Sequence, residues 1–232
     1  GSRTLLFEPQ EGRFPMATDF TASVPGDVES LDGTTPKEAV SWDFRTPAVE
    51  VERVHPTGGP HGREPLMFMR FNQKIEPGEI VDYLAVWGGG KTYKPRLASE
   101  GRVEEDPEVR RMAEEAPAGQ WVAFYVPKRL PAATKFQIGL KEGAPSAEGP
   151  KKTDNGDYAK FHTYDPLELD KKECGWRGDC WPGTPFAFEF NNPLDPEVGA
   201  DDLVVEPAIP GMKVEVHGRR LMIRGRTKGR TT

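Results

Sequence analysis

Apolar residues in this chain fall at every second position, in short runs bounded by proline, glycine and asparagine. That pattern predicts many short strands, because alternate side chains of an extended chain share a face. The clearest run is Phe186, Phe188 and Phe190. Asn191, Asn192 and Pro193 follow and stop it, since proline offers no donor to a ladder. The same phrase stands earlier as Pro65 to Phe71, followed by Asn72, Gln73 and Lys74. Both phrases open on a proline and end their strand in Phe-Asn. Both then turn through polar residues to an aliphatic residue, an acid and a proline, Ile75-Glu76-Pro77 and Leu194-Asp195-Pro196.

The echo extends along the chain. Phe71 and Phe190 stand 119 residues apart, and Phe44 to Val51 matches Phe161 to Leu169 with Phe44 and Phe161 117 apart. Phe7-Glu8-Pro9, Thr18 to Ala22 and Leu31-Asp32-Gly33 match Tyr125-Val126-Pro127, Thr134 to Ile138 and Ala147-Glu148-Gly149, with Thr18 and Thr134 116 apart. A near-constant period of this length marks a repeated domain the size of one sandwich. The expected organisation is the C-terminal strands of one unit over 1–45, a complete β-sandwich over 46–152, and a second β-sandwich over 153–232 lacking its last strand.

Within that frame the predicted strands are Thr4–Phe7, Asp19–Val24, one on Val49, Val51 and Val54, then Leu66–Phe71, Tyr83–Trp87, Tyr93–Leu97, Trp121–Val126 and Lys135–Leu140. Gly88-Gly89-Gly90 reads as a hairpin tip. One short helix is predicted after Asp106, a cap, with Pro107 at its first position and Pro117 ending it. Val109, Met112, Ala113 and Ala116 give it an apolar face. Residues 151–157 read as a linker, and the last unit continues through Leu203–Glu206, Lys213–Val216 and Arg220–Arg224. A sandwich without its closing strand has an unpaired edge. Asp19–Val24, the counterpart of the missing strand, is expected to fill it by strand exchange, within one chain or as self-association.

Composition supports the all-β reading: 23 prolines and 25 glycines accompany the short alternating runs. A net charge of −6 argues against a nucleic-acid partner. The local basic run Arg219, Arg220, Arg224, Arg226, Lys228 and Arg230 reads as the wet face of a strand. No apolar stretch reaches the length of a membrane span, and no signal peptide opens the chain. Gly1-Ser2 reads as an expression scar, so any export signal is expected to precede it.

Candidate chemistry is sparse. Cys174 and Cys180 are the only cysteines, and the glycines between them let the chain fold back to disulfide distance. Closing so short a loop stabilises by about 2 kcal/mol in the chain-entropy model, and the bond implies an oxidising compartment. A metal site is the rival. Zinc needs two further ligands, and none of His55, His61, His162 or His217 sits in a supporting motif. Arg177-Gly178-Asp179, inside the cysteine loop, matches the integrin-binding tripeptide, a signal only three residues long. Gly88 to Thr92 lacks the first glycine of a phosphate loop, where Ala85 stands, and the helix such a loop needs. Asp154-Asn155-Gly156-Asp157 lacks the ligand spacing of a calcium loop. No nucleophile–base pair is supported, so no catalytic residue, metal or cofactor is expected, and the chain reads as a non-enzyme.

The phrases Phe190 to Asp195 and Phe71 to Pro77 resemble the macroglobulin-like and Ig-like domains near the N-terminus of bacterial alpha-2-macroglobulins. The Phe-x-Thr entry at Phe44 and Phe161, the Thr-x-Phe closing strand, and the cysteine pair before Pro182-Gly183-Thr184-Pro185 are similar to that family as well. The resemblance implies tandem Ig-like antiparallel sandwiches that serve as scaffold domains of a broad-spectrum peptidase inhibitor. It also implies a periplasmic or cell-envelope setting, often in a lipid-anchored parent, with neighbouring domains and target peptidases as partners. Neither cysteine stands in a thioester motif and no bait region is identifiable, so the trap itself is expected elsewhere. Phe68, Phe71, Phe188 and Phe190 are expected in cores, and Trp42, Trp121 and Trp181 at cores or domain junctions. The alternatives are an adhesion module using Arg177, Gly178 and Asp179, and a carbohydrate-binding module using exposed tryptophans as stacking platforms.

Overall fold

A computed structural model describes residues 9, 12–174 and 180–226. It divides into two compact units, Gly1–Pro131 with Lys135–Thr163, and Ala132–Thr134 with Tyr164–Thr232.

The first unit begins with an antiparallel hairpin of β1 (Asp19–Val24) and β2 (Val40–Arg45). The strands β3 (Val51–His55), β4 (Gly58–His61) and β5 (Met67–Phe71) follow. After a helical turn, α1 (Pro77–Ile80), come β6 (Leu84–Gly88), β7 (Lys91–Tyr93) and β8 (Arg96–Leu97). Two helices, α2 (Glu100–Glu105) and α3 (Pro107–Glu115), precede β9 (Trp121–Tyr125), β10 (Lys135–Leu140) and β11 (Asp157–Thr163). The strands form two sheets, ordered β3-β5-β9-β8 and β4-β11-β10-β6-β7. Facing one another, they make an Ig-like β-sandwich.

Alternation along β5 shows why. Met67, Met69 and Phe71 enter the core between the sheets, against Val122 and Phe124 of β9 and Phe136, Ile138, Leu140 and Phe161 of the opposite sheet. Phe68 points the other way, into a second apolar cluster with Val103, Val109 and Met112 of the two helices. Phe68 and Phe71 are both buried, as the alternation predicts. The cap on α3 also matches: the Asp106 carboxylate accepts hydrogen bonds from the amides of Glu108 and Val109, at 3.1 and 3.0 Å.

The second unit contains β12 (Leu169–Cys174), β13 (Phe186–Phe190), β14 (Lys213–His217) and β15 (Arg220–Arg224). Their order, β12-β13-β15-β14, repeats that of β3-β5-β9-β8. Where the first unit inserts its helices, the second makes a tight turn through Gly218, whose φ is 60°.

Several expectations are corrected. The boundary expected at 152/153 falls after Thr163, because β11 pairs along its length with β10 and belongs to the first sandwich. The hairpin expected to end a separate unit over 1–45 groups with that sandwich too. Residues 93–97 do not form one return strand. Pro95 divides them, with β7 in one sheet and β8 in the other. A second helix, α2, joins the predicted one, and its start is capped by Ser99. Leu203–Glu206 is not a strand, and Val204 lies exposed. The β4–β11 pairing is parallel, an exception in an otherwise antiparallel fold. Thr4–Phe7 lies outside the described residues.

Candidate functional site

The repeat is present in the hydrogen bonding as well as in the strand order. Asn72 accepts from the Glu50 amide at 3.0 Å and donates to the Ala48 carbonyl at 3.1 Å. Asn191 accepts from the Glu168 amide at 2.8 Å and donates to the Pro166 carbonyl at 2.7 Å. In each copy one asparagine therefore latches the chain entering the first strand. The ladder slips at the same place, between Val51 and Arg53 and between Leu169 and Lys171.

A corner recurs in the same way. Ala17 and Ala133 both adopt left-handed backbone, with φ of 53° and 49°, uncommon for residues bearing a Cβ. Their amides donate to Pro47 and Tyr164 carbonyls at 2.8 and 2.9 Å. Beside them, Thr18 donates to Met16 O and Thr134 to Ala132 O, at 2.9 and 2.7 Å. The strands that follow keep one register: Phe20 pairs with Phe44, and Phe136 with Phe161. Both ring pairs stack, with centroids 5.1 and 5.2 Å apart. The β1–β2 hairpin is therefore the counterpart of β10–β11.

This equivalence exposes a contrast in covering. On β10–β11, Phe136, Ile138, Leu140 and Phe161 are buried in the sandwich core. On β1–β2 the matching face consists of Phe20, Ala22 and Val24 opposite Phe44, Trp42 and Val40. Trp42 is 45% exposed and Val40 55%. The reverse face pairs polar groups, with Thr21 donating to Asp43 at 2.6 Å and Ser23 hydrogen-bonded to Ser41. The hairpin is tied down at its base by Arg13–Glu148 at 2.7 Å and Lys151–Asp19 at 3.1 Å. Gly149 lets the chain pass there, since a Cβ at that position would lie 2.3 Å from the Met16 carbonyl.

The second unit's sheet shows the complementary contrast. Its strand register places Leu169, Phe186, Phe188, Phe190, Val214, Val216, Leu221 and Ile223 on one face. The counterparts of the β13 and β15 residues, Met67, Met69, Phe71, Val122 and Phe124, line the core of the first unit. Leu221 and Ile223, near the middle, are buried, while the three phenylalanines are only half-buried. At the rim Leu169 is 48% and Leu167 56% exposed, whereas Val49, the counterpart of Leu167, is fully buried. Lys172 stands where Val54 stands in the first unit. The other face carries ion pairs around a centre of Ala187 and Met222. Arg220 pairs with Glu173 at 3.4 Å, Arg224 with Glu215 at 3.2 Å, and Lys171 with Glu173. The Lys171 ammonium holds the Glu173 carboxyl below its usual range, and Glu173 in turn raises the lysine. Arg220 and Arg224 are thus a solvated strand face, as the alternation predicts; residues 227–230 lie outside the described residues.

The remaining chemistry does not converge. Three histidines gather in the first unit: the His55 and His61 rings are 5.7 Å apart, and a Cβ on Gly59 would touch both His61 and His162. Burial pushes His55 below its usual 6.5; nearby Glu108 opposes the shift, and the positive charge of His61 adds to it. Among the described residues no group of three or more His, Cys, Asp or Glu is placed to hold a metal ion. Gly89 and Gly90 form the hairpin tip between β6 and β7, so Lys91 and Thr92 sit on a strand. A cavity of about 440 Å³ lies along Arg45–Val51 and residues 151–157, including Asp154 and Asp157.

Cys174 and Cys180 are joined in a disulfide. Arg177, Gly178 and Asp179 lie outside the described residues. Trp121 stacks on Phe68 at 5.7 Å, but Trp42 and the 70% exposed Trp181 do not reach a core. Trp42 sits on the hairpin face on which Phe14 packs against Phe20 and Phe44, and Trp181 in the loop after the disulfide. Sequence reasoning missed the exposure of Val40 and Trp42 on the hairpin and of Leu167 and Leu169 on the second unit's sheet.

No family model matches the chain. A curated relative, "Circularly permutated Ras protein 2" of Dictyostelium discoideum, is 26% identical over 149 residues, which are 60% of this chain and 4% of that protein. Among solved structures, the N-terminal part of the bacterial S-layer protein SbsC covers 75% of this chain and 37% of its own, at 10% identity and a TM-score of 0.31. The chain therefore spans a small part of both. No helix among the described residues is long and apolar enough to cross a membrane. The disulfide is compatible with an extracytoplasmic protein.

Proposed function

We propose that this chain is a passive framework segment, tandem scaffold domains of a bacterial alpha-2-macroglobulin-like peptidase inhibitor of the cell envelope. The supporting observation is the repeated sheet, built twice with one strand order, one ladder slip and one asparagine latch. Elements preserved in this way hold neighbouring parts at fixed distances. The sequence resemblance at Phe71–Pro77 and Phe190–Asp195 supplies the family, and the disulfide suits the periplasm or outer surface. In this reading peptidases are captured by other parts of the longer protein, and this segment bears the load.

Peptidase protection assays test the reading. The longer protein containing this segment is expected to slow digestion of a large protein substrate, and the segment alone to leave digestion unchanged. Inhibition by the segment alone would refute the passive role. Failure of the longer protein to inhibit any of a panel of serine, cysteine and metallopeptidases would refute the family.

A further inference from the structure

We propose that the outer face of the first unit's five-stranded sheet binds an acidic glycan whose carboxylates are separated by neutral sugars. The alternation that sends Phe136, Ile138 and Phe161 into the core sends Lys135, Gln137, Lys160 and His162 to the opposite face. Trp87 joins them on β6, paired with Gln137, which pairs on its other side with Lys160. These residues line a groove of about 420 Å³ that holds no carboxylate. Of the five strands only β11 contains an acid, Asp157, and its register partner is the core residue Leu140. The face is thus cationic in a chain whose 37 acidic residues outnumber its 31 lysines and arginines.

Two features separate this face from an ordinary wet surface. Lysines commonly blunt sheet edges, but β10 and β11 are interior strands, and Lys135 and Lys160 form no ion pair among the described residues. Beside them an aromatic pair is fixed in place. Tyr158 reaches from β11 across β10 to set its ring 4.6 Å from that of Trp87, at 80°. It crosses at Gly139, where a Cβ would lie 2.3 Å from Tyr158 Cδ1. Tyr158 is 43% exposed and Trp87 half-buried, so the rings make a preset platform for the apolar face of a sugar. Lys135 and Lys160 are diagonal neighbours in the register, about 7–8 Å apart at their backbones, so one glycan chain can meet both ammoniums. A second groove, about 470 Å³, lies beside the edge strand β7 and is lined by Lys91, Lys94, Lys128 and Arg129, again without an acid. Two cationic grooves on one unit suit a polymer better than a single small anion. A nucleic acid is disfavoured, because the net charge of −6 repels so dense a polyanion at long range. This face belongs to the first unit alone, so glycan binding stands or falls apart from the framework role.

The test titrates the 232-residue chain with hyaluronan oligosaccharides, whose carboxylates alternate with neutral sugars, by calorimetry at low salt. Neutral dextran and oligo-dT are the comparison ligands. Hyaluronan is expected to bind with a micromolar to millimolar Kd, and dextran to bind far more weakly. Replacing both Lys135→Gln and Lys160→Gln should weaken hyaluronan binding at least about tenfold and flatten its dependence on salt. Both positions are exposed, so the fold tolerates the change. Trp87→Ala should weaken binding about three- to tenfold while the salt dependence stays, since stacking is not screened. Lys213→Gln, an exposed lysine on β14 of the second unit, should bind like wild type. A wild type that leaves hyaluronan unbound up to about 10 mM would overturn the proposal. So would a double lysine variant that binds normally, equal binding of dextran, or tighter binding of oligo-dT than of hyaluronan.

Discussion

Phe71 and Phe190 occupy equivalent places in the repeat, and truncating each to alanine measures how complete the two cores are. Phe71 has no exposed surface and is enclosed by both sheets. Phe71→Ala removes a ring from a closed site, losing its transfer free energy and leaving a cavity, at a cost of about 3–5 kcal/mol. Phe190 is half-buried, and among the described residues no second sheet of its unit packs on its face. Part of its transfer term is already forfeited to water, and solvent enters the space left by truncation, so the cavity term is small. Phe190→Ala is therefore expected to cost about 1–2 kcal/mol. With a urea m-value of about 2 kcal/mol per molar, the first change lowers the midpoint of its unit's transition by about 2 M. The second lowers its own by at most about 1 M. The assay is urea unfolding by circular dichroism at low micromolar concentration. Equal midpoint shifts for the two variants would show that the second unit's face is enclosed after all, and the reasoning from uncovered surface would be wrong.

Two further outcomes follow from the geometry. Asn72→Ala removes both latch hydrogen bonds and is expected to cost about 2 kcal/mol; a loss below about 0.5 kcal/mol in chemical denaturation would refute the latch. His55 titrates below 6.5 because burial disfavours its charge, so the folded state binds fewer protons than the unfolded state in the window beneath 6.5. Stability is expected to be full above pH 6.5 and to fall as the pH drops through the depressed pKa, and His55→Gln should flatten that slope in thermal melts at pH 5 to 7.5 (a slope unchanged in the variant would assign it to other groups).

Much of the fold was legible because it rests on local signals. Phe186, Phe188 and Phe190 advertise a strand by alternation, and Asp106-Pro107 a helix start by cap chemistry. Comparing distant segments placed the Asn72 and Asn191 phrases in register. Sheet membership was less legible, since it depends on pairing that no local window contains. Asp157–Thr163 was read as opening a new unit because Phe161 matches Phe44. In fact Phe161 lies in a strand that pairs along its length with β10 and belongs to the first sandwich, and the second unit continues from Tyr164. Trp42 misled for a related reason. Its aromatic character predicts burial, yet the covering sheet is not supplied by its own hairpin.

The same distinction indicates which parts of the repeat are constrained by architecture and which were free to vary. The strand order, the asparagine latch and the left-handed alanine recur because each fixes the backbone path, and any change there moves every later strand. The outer faces differ because each is solved locally. The first unit places α2 and α3 over Phe68, whereas the second presents Arg220, Arg224, Glu173 and Glu215 to water. A sheet with one face already paired for water and the other rich in phenylalanine has only one face left to bury. In the first unit the core face is sealed by a sheet whose central pair is β10–β11.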